Sequence, residues 1–179
     1  MELGTAIIGL IVLTATFLPF VIIHRNKGKK DHESLVQLTR IAFANRSDIA
    51  QWDKVMNLSL GISSDNRYLF YVRKEGDQWT ERWVELENIE TCQSNTIRRP
   101  VQGKAGKDSV IERLELVLAP INRSGNIIRL EIFDAQKSLQ IYEEYNLLKK
   151  WEGLIQNALS MHQMGDQLSQ KEEGFAYPV

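Results

Sequence analysis

The side chains that could do chemistry are few and scattered. Cys92 is the only cysteine, which excludes an internal disulfide and a cysteine-rich metal site. It falls in a strand-like segment, where a lone thiol packs as a small apolar residue. The histidines are His24, His32 and His162, and none has the H-x-x-x-H or H-E-x-x-H spacing that puts two imidazoles on one metal. Glu85, Glu87, Glu143 and Glu144 come without a neighbouring nucleophile or base. Gly103 and Gly106 lack the G-K-[ST] ending of a phosphate-cradling loop. These absences predict a protein that is not an enzyme, with no cofactor and no metal.

Charge is the more informative chemistry. Arg25, Lys27, Lys29 and Lys30 follow one another within six residues, and Arg98, Arg99, Lys104 and Lys107 form a second cluster. Both are candidate contacts for anionic lipid headgroups, to which each near-surface cation adds about 1 kcal/mol. The first cluster has a second reading, as a topology signal; the second has one as a solvated loop. The chain counts 22 basic and 23 acidic residues, and without its first thirty the balance is 18 against 22. An acidic domain excludes general nucleic-acid binding, which needs a basic face.

The stretch before the first cluster explains its position. Leu3 to Ile23 carries no charged side chain. On a helix rising about 1.5 Å per residue, this run matches the roughly 30 Å hydrocarbon core of a bilayer. A cleaved secretory signal would want a basic n-region, a shorter apolar core and a small-residue cleavage site. Here Glu2 precedes the run and no A-x-A pattern follows it. The sequence therefore predicts a transmembrane anchor over 1–24 and a basic juxtamembrane linker over 25–33. By the positive-inside rule this single-pass protein has its N-terminus outside the inner (plasma) membrane and its C-terminal domain in the cytoplasm.

Residues 34–162 are predicted to fold as that domain. Leu35, Leu38, Ile41 and Ala42 repeat at helical spacing, and Asn45-Arg46-Ser47-Asp48 closes the helix with turn chemistry. Trp52 reads as a core anchor or a lid over the following sheet. From Met56 the period becomes two. Strands are predicted over 58–62, 67–73, 79–86, 90–98, 112–118 and 127–133, with a mobile loop over 99–108. In 67–73, Tyr68, Phe70 and Val72 face one way and Leu69, Tyr71 and Arg73 the other. Both faces are partly apolar, so the first helix is expected to cover one of them. Arg113, Glu115, Arg129 and Glu131 alternate with apolar residues and predict a cross-strand charge ladder on a wet face. Leu147, Leu148, Trp151, Leu154, Ile155, Ala158 and Leu159 give a final helix, 143–161, one broad apolar stripe. Residues 163–179 read as a mobile tail.

Strands followed by one amphipathic helix predict an α+β domain. It would be an antiparallel, strongly curved sheet of about six or seven strands, capped by the C-terminal helix. Through Leu86-Glu87-Asn88-Ile89 and Trp151 in the terminal helix, it resembles a pleckstrin-homology domain. The usual count there is seven strands, so one is missing or hidden in the Glu90 to Asp108 region. With the anchor, the basic linker, the Trp52-Asp53 pair and the final Trp-containing helix, the layout is similar to uncharacterised bacterial single-span membrane proteins. That resemblance implies architecture and location, not chemistry. The functional expectation is a membrane-anchored, non-enzymatic interaction or scaffold module, binding an unknown protein partner or its own copies. The alternatives are a domain that reads anionic lipid and an enzyme with an unrecognised site.

Overall fold

The computed structural model describes residues 32–103, 106–122, 125–138, 140–141 and 143–173. The expected anchor and linker, apart from His32 and Glu33, lie outside the described residues. Among the described residues no helix is long and apolar enough to cross a membrane.

Helix α1 spans residues 32–44. It ends because Arg46 turns into the left-handed region (φ 55). Ser47 N then donates to Ala42 O at 2.9 Å and Arg46 N to Phe43 O at 3.0 Å, the paired bonds of a Schellman stop. The Asn45 side chain caps Ile41 O. Strands β1 (Gln51–Val55), β2 (Leu58–Ile62), β3 (Tyr68–Glu75) and β4 (Gln78–Glu85) form one antiparallel sheet in sequence order. A single 3-10 turn, Leu86–Asn88, leads into β5 (Ile89–Gly103), β6 (Gly106–Pro120) and β7 (Ile128–Asp134), a second sheet of three strands. Helix α2 follows from Glu144 to Glu173.

This arrangement overturns the expected single curved sheet capped by a helix. The described residues form two antiparallel sheets, of four and three strands, that do not close, with two helices. The 3-10 turn breaks the ladder between β4 and β5. Arg82 of β4 reaches the main-chain oxygen of Arg129 on β7 at 3.5 Å. The extra strand is β1, in the segment whose Trp52 reads as a core anchor or a lid over the sheet. Residues 90–108 hide none. They extend β5 into a hairpin with β6 that runs from Cys92↔Leu118 out to Gly103↔Gly106, with one register shift between Ile97 and Arg98, replacing the loop expected over 99–108. Helix α2 outlasts its apolar stripe because residues 162–173 contain no proline, and Gln, Met, Leu, Lys and Glu outnumber weaker formers such as Gly165 and Asp166.

The main core lies between the two sheets and α2. Leu58, Leu60, Leu69 and Leu86 meet Leu114, Leu116, Leu118 and Leu130, with Leu148, Trp151 and Ile155 of α2 completing the cluster. A second, smaller core lies on the opposite face of the first sheet. There Leu38, Ile41 and Ala42 of α1 pack on Phe70 and Val72, flanked by Trp52, Tyr68 and Trp79. Strand β3 is thus covered twice, as its two apolar faces required. Gly61 sits beneath this contact, where a Cβ would lie 3.5 Å from both Leu38 and Ile49 side chains.

Candidate functional site

Two features gather charge: the seam between the sheets and the far end of the β5–β6 hairpin.

The seam is built on Arg73. Its position on the core face of β3 forces the guanidinium towards the open edge of β7, the nearest source of acceptors. Nη1 donates to Glu131 Oε1 at 2.7 Å, while Nη2 donates to the main-chain oxygens of Glu131 and, at 3.1 Å, Ile132. Tyr71 Oη donates to Glu131 O at 2.9 Å. Side chains of the first sheet thus satisfy carbonyls that a neighbouring strand would otherwise take, which blunts an exposed edge. Lys137 bridges Glu75 at 2.9 Å and Glu131 at 3.0 Å. Its hydrogen bonds to the two carboxylates raise its pKa, and Glu75 is lowered in turn by Lys137. Burial pushes the Tyr71 phenol up.

The expected charge ladder is only partly formed. Glu115 lies opposite Glu131 in the register, a like-charge pair that costs stability unless each partner is neutralised elsewhere. Glu115 takes Arg113 at 3.6 Å and Arg129 at 3.4 Å, while Glu131 turns to Arg73 and Lys137. Glu115 is moreover buried, so this face is not fully wet. The alternation of the strand places Arg73 on one face with Leu69 and Tyr71; its role as a seam bolt was not legible, because nothing in the sequence aligns β3 with β7. These paired charges join the first sheet to β7 and knit β6 to β7.

Helix α2 is fastened by two further polar contacts. Trp151 Nε1 donates to Asp53 Oδ2 at 2.9 Å, and Lys150 pairs with the same carboxylate at 2.7 Å. Glu152 accepts from Ser94 N at 2.6 Å, Ser94 Oγ at 3.0 Å and Lys149 at 2.9 Å, and Gln156 donates to Cys92 O. These cap the free edge of β5. Burial pushes the Glu152 carboxyl up, but the bonds from Ser94 and Lys149 outweigh it and leave the pKa lowered. Cys92 is buried, and burial together with the Glu152 charge pushes its thiol up to about 12. His162 contacts Asn66 O at 3.0 Å, and among the described residues no group of His, Cys, Asp and Glu could hold a metal ion.

The hairpin carries what the described residues retain of the lipid-contact candidates. Strand β7 ends at Asp134, paired with Arg113, while β5 and β6 run on as a two-stranded ribbon. At about 3.4 Å per residue the ribbon projects roughly 20 Å further. Arg98 and Arg99 are exposed on it, opposite Ile111 and Val110. Being adjacent on a strand, they point to opposite faces. Lys107 lies opposite Gln102 in the register. Lys104 lies outside the described residues, as do Arg25, Lys27, Lys29 and Lys30.

The chain's point of entry lies at the same end. Glu33, at the start of α1, pairs with Lys74 at 2.8 Å; the adjacent Glu75 pairs with Lys137; and Ala135 N donates to Glu112 O at the root of the ribbon. The opposite end holds the β2–β3 turn. There Ser64 donates to Asp48 just after α1, and Asn66 meets Met161 and His162 near the far end of the apolar stripe of α2. Helix α1 therefore runs from the ribbon end to the other. Searches against protein-family models, curated proteins and solved structures find no match.

Proposed function

We propose that this chain is a single-pass, membrane-anchored, non-enzymatic interaction module on the cytoplasmic face, with its ribbon end turned to the bilayer. The uncharged run Leu3 to Ile23 and the basic flank behind it support the anchor and its direction. The observation that carries the orientation is the arrival of the chain at α1 on the end from which the ribbon projects. Nine residues from Ile23 to His32 span at most about 30 Å, so this end stays within reach of headgroups. The test is alkaline extraction of membranes from cells making the full chain, joined to a reporter fused after Val179. Retention in the pellet with a cytoplasm-only reporter active is expected. Release by alkali, or activity of a reporter that works only when exported, overturns the reading.

A second reading, contact of the ribbon with anionic lipid, draws on the exposure of Arg98 and Arg99 and about 1 kcal/mol per near-surface charge. In vesicles containing phosphatidylglycerol, a dye on Ser109→Cys of the full chain would sit at headgroup depth and withdraw in R98E/R99E. Equal depth in neutral vesicles would remove this reading.

A further inference from the structure

Resting on the tethered reading above, we propose that the outward ridge of α1 is a self-association surface, by which copies anchored in one membrane pair side by side. Val36 and Phe43 stand two turns apart on that ridge, 48% and 83% exposed, while Leu38, Ile41 and Ala42 on the other side are buried in the sheet contact. Trp83 emerges beside the helix, 53% exposed. It lies opposite Phe70 in the register, and Phe70 is covered by α1. Arg40 lies between, its guanidinium reaching Glu81 two residues before Trp83.

Three observations select a second copy as the occupant. With the ribbon end at the bilayer, α1 runs away from the membrane and its ridge faces sideways, where other anchored copies stand at the same height. A two-fold axis along the membrane normal then brings ridge to ridge, and a two-fold contact must be self-complementary. The charge of this surface meets that condition. Arg40 and Glu81 are paired and sum to zero, so the ridge offers nothing to an anionic headgroup, and a two-fold arrangement can exchange each for its mate's. The area fits as well. The three apolar side chains expose roughly 350 Å² at typical side-chain areas, within the size of a functional surface patch and less than half of the about 800 Å² per partner of a stable soluble complex. Such a contact forms when both copies share a membrane, which supplies the effective concentration, and falls apart in dilute detergent.

The test uses the full chain in its native membrane, with single thiols placed at Thr39→Cys, exposed on the ridge between Val36 and Phe43, or, as a control on an exposed site at the opposite end, Ile127→Cys. The native Cys92 is buried and stays unlabelled. A short thiol-to-thiol crosslinker should give several-fold more dimer from position 39 than from 127, and V36D and W83D should each abolish it while keeping a cooperative melt. Equal yields at both positions, or dimer that survives both variants, overturns the proposal. So does crosslinking of position 39 only to a different protein, or quenching of a dye there by headgroup-labelled lipid. Alkaline extraction on the same samples separates the failures: a chain that stays in the pellet without dimer sinks self-association alone, and a chain that washes off sinks the tether beneath it.

Discussion

Replacing Asp53 with alanine should loosen helix α2 from strand β1. Trp151 is fully buried, and its indole N–H donates to Asp53 Oδ2 at 2.9 Å. Removing the acceptor leaves a buried donor unsatisfied, worth about 1–3 kcal/mol, with the upper half of that range appropriate to a charged acceptor. The Lys150 pair at 2.7 Å adds little, since the lysine is 48% exposed and such pairs contribute less than about 1 kcal/mol. The loss should total about 2–3 kcal/mol, a fall of roughly 5–10 °C in melting temperature for a chain of this size. D53N keeps an oxygen for the indole and should cost only about 1 kcal/mol. Guanidinium unfolding of the full chain in detergent, followed by near-ultraviolet circular dichroism, measures the loss. A Trp151→Phe background isolates it: without the indole N–H, D53A should cost less than about 1 kcal/mol. An equal cost in both backgrounds would refute the hydrogen bond as the cause.

Three other perturbations should behave as follows. R73M leaves the Glu131 carboxylate to Lys137 alone, takes the side-chain donor from Ile132 O and leaves Glu131 O to Tyr71, so it should cost about 3 kcal/mol, near the low end for a broken buried pair; hydrogen exchange should report faster opening at β7 than at β2. R46G should stabilise by about 0.5–1 kcal/mol, because glycine takes the left-handed stop of α1 (φ 55) without strain; a lower melting temperature would contradict the geometry. Glu152 and Asp65 both have lowered pKa values. Their contribution is therefore present above the ordinary carboxylate range near about 4 and lost as pH falls through the depressed folded values; E152Q should flatten the acid limb of the stability profile.

Local pattern reached the elements whose faces differ sharply. Leu114, Leu116 and Leu118 against Arg113 and Glu115 announced β6, and the stripe through Trp151 announced α2. The doubly apolar 68–72 segment announced a strand covered twice, and α1 does cover it. What failed was pairing over distance. Strand β1 was missed because Gln51-Trp52-Asp53-Lys54 has no apolar alternation: its alternate side chains serve two helices, Trp52 beneath α1 and Asp53 on Trp151. The hairpin extension was missed because Gly, Lys and Pro read as loop, yet a two-stranded ribbon outside the core needs no apolar face. The split into two sheets was missed because the Leu86–Asn88 turn looks like any bend between strands, and only the lack of pairing between β4 and β5 makes it a boundary. The Trp-Asp pair and the terminal Trp were singled out separately, and the bond between them could not be read without the fold.

The placement of these fastenings bears on how a tethered domain would carry load. A pull on the residues before α1 meets the smaller core first, where Leu38, Ile41 and Ala42 rest on one sheet face and Glu33–Lys74 is an exposed pair. Exposed pairs contribute less than about 1 kcal/mol, so the apolar contact bears most of that load. From there strand β1 links both helices through adjacent residues, so a displacement of α1 reaches α2 by way of Trp52 and Asp53. The seam at Arg73 lies on β3, two strands away from β1, and is bypassed. Disturbing Asp53 should therefore uncouple the two helices while leaving the two sheets joined, whereas disturbing Arg73 should part the sheets while α1 and α2 stay coupled through β1.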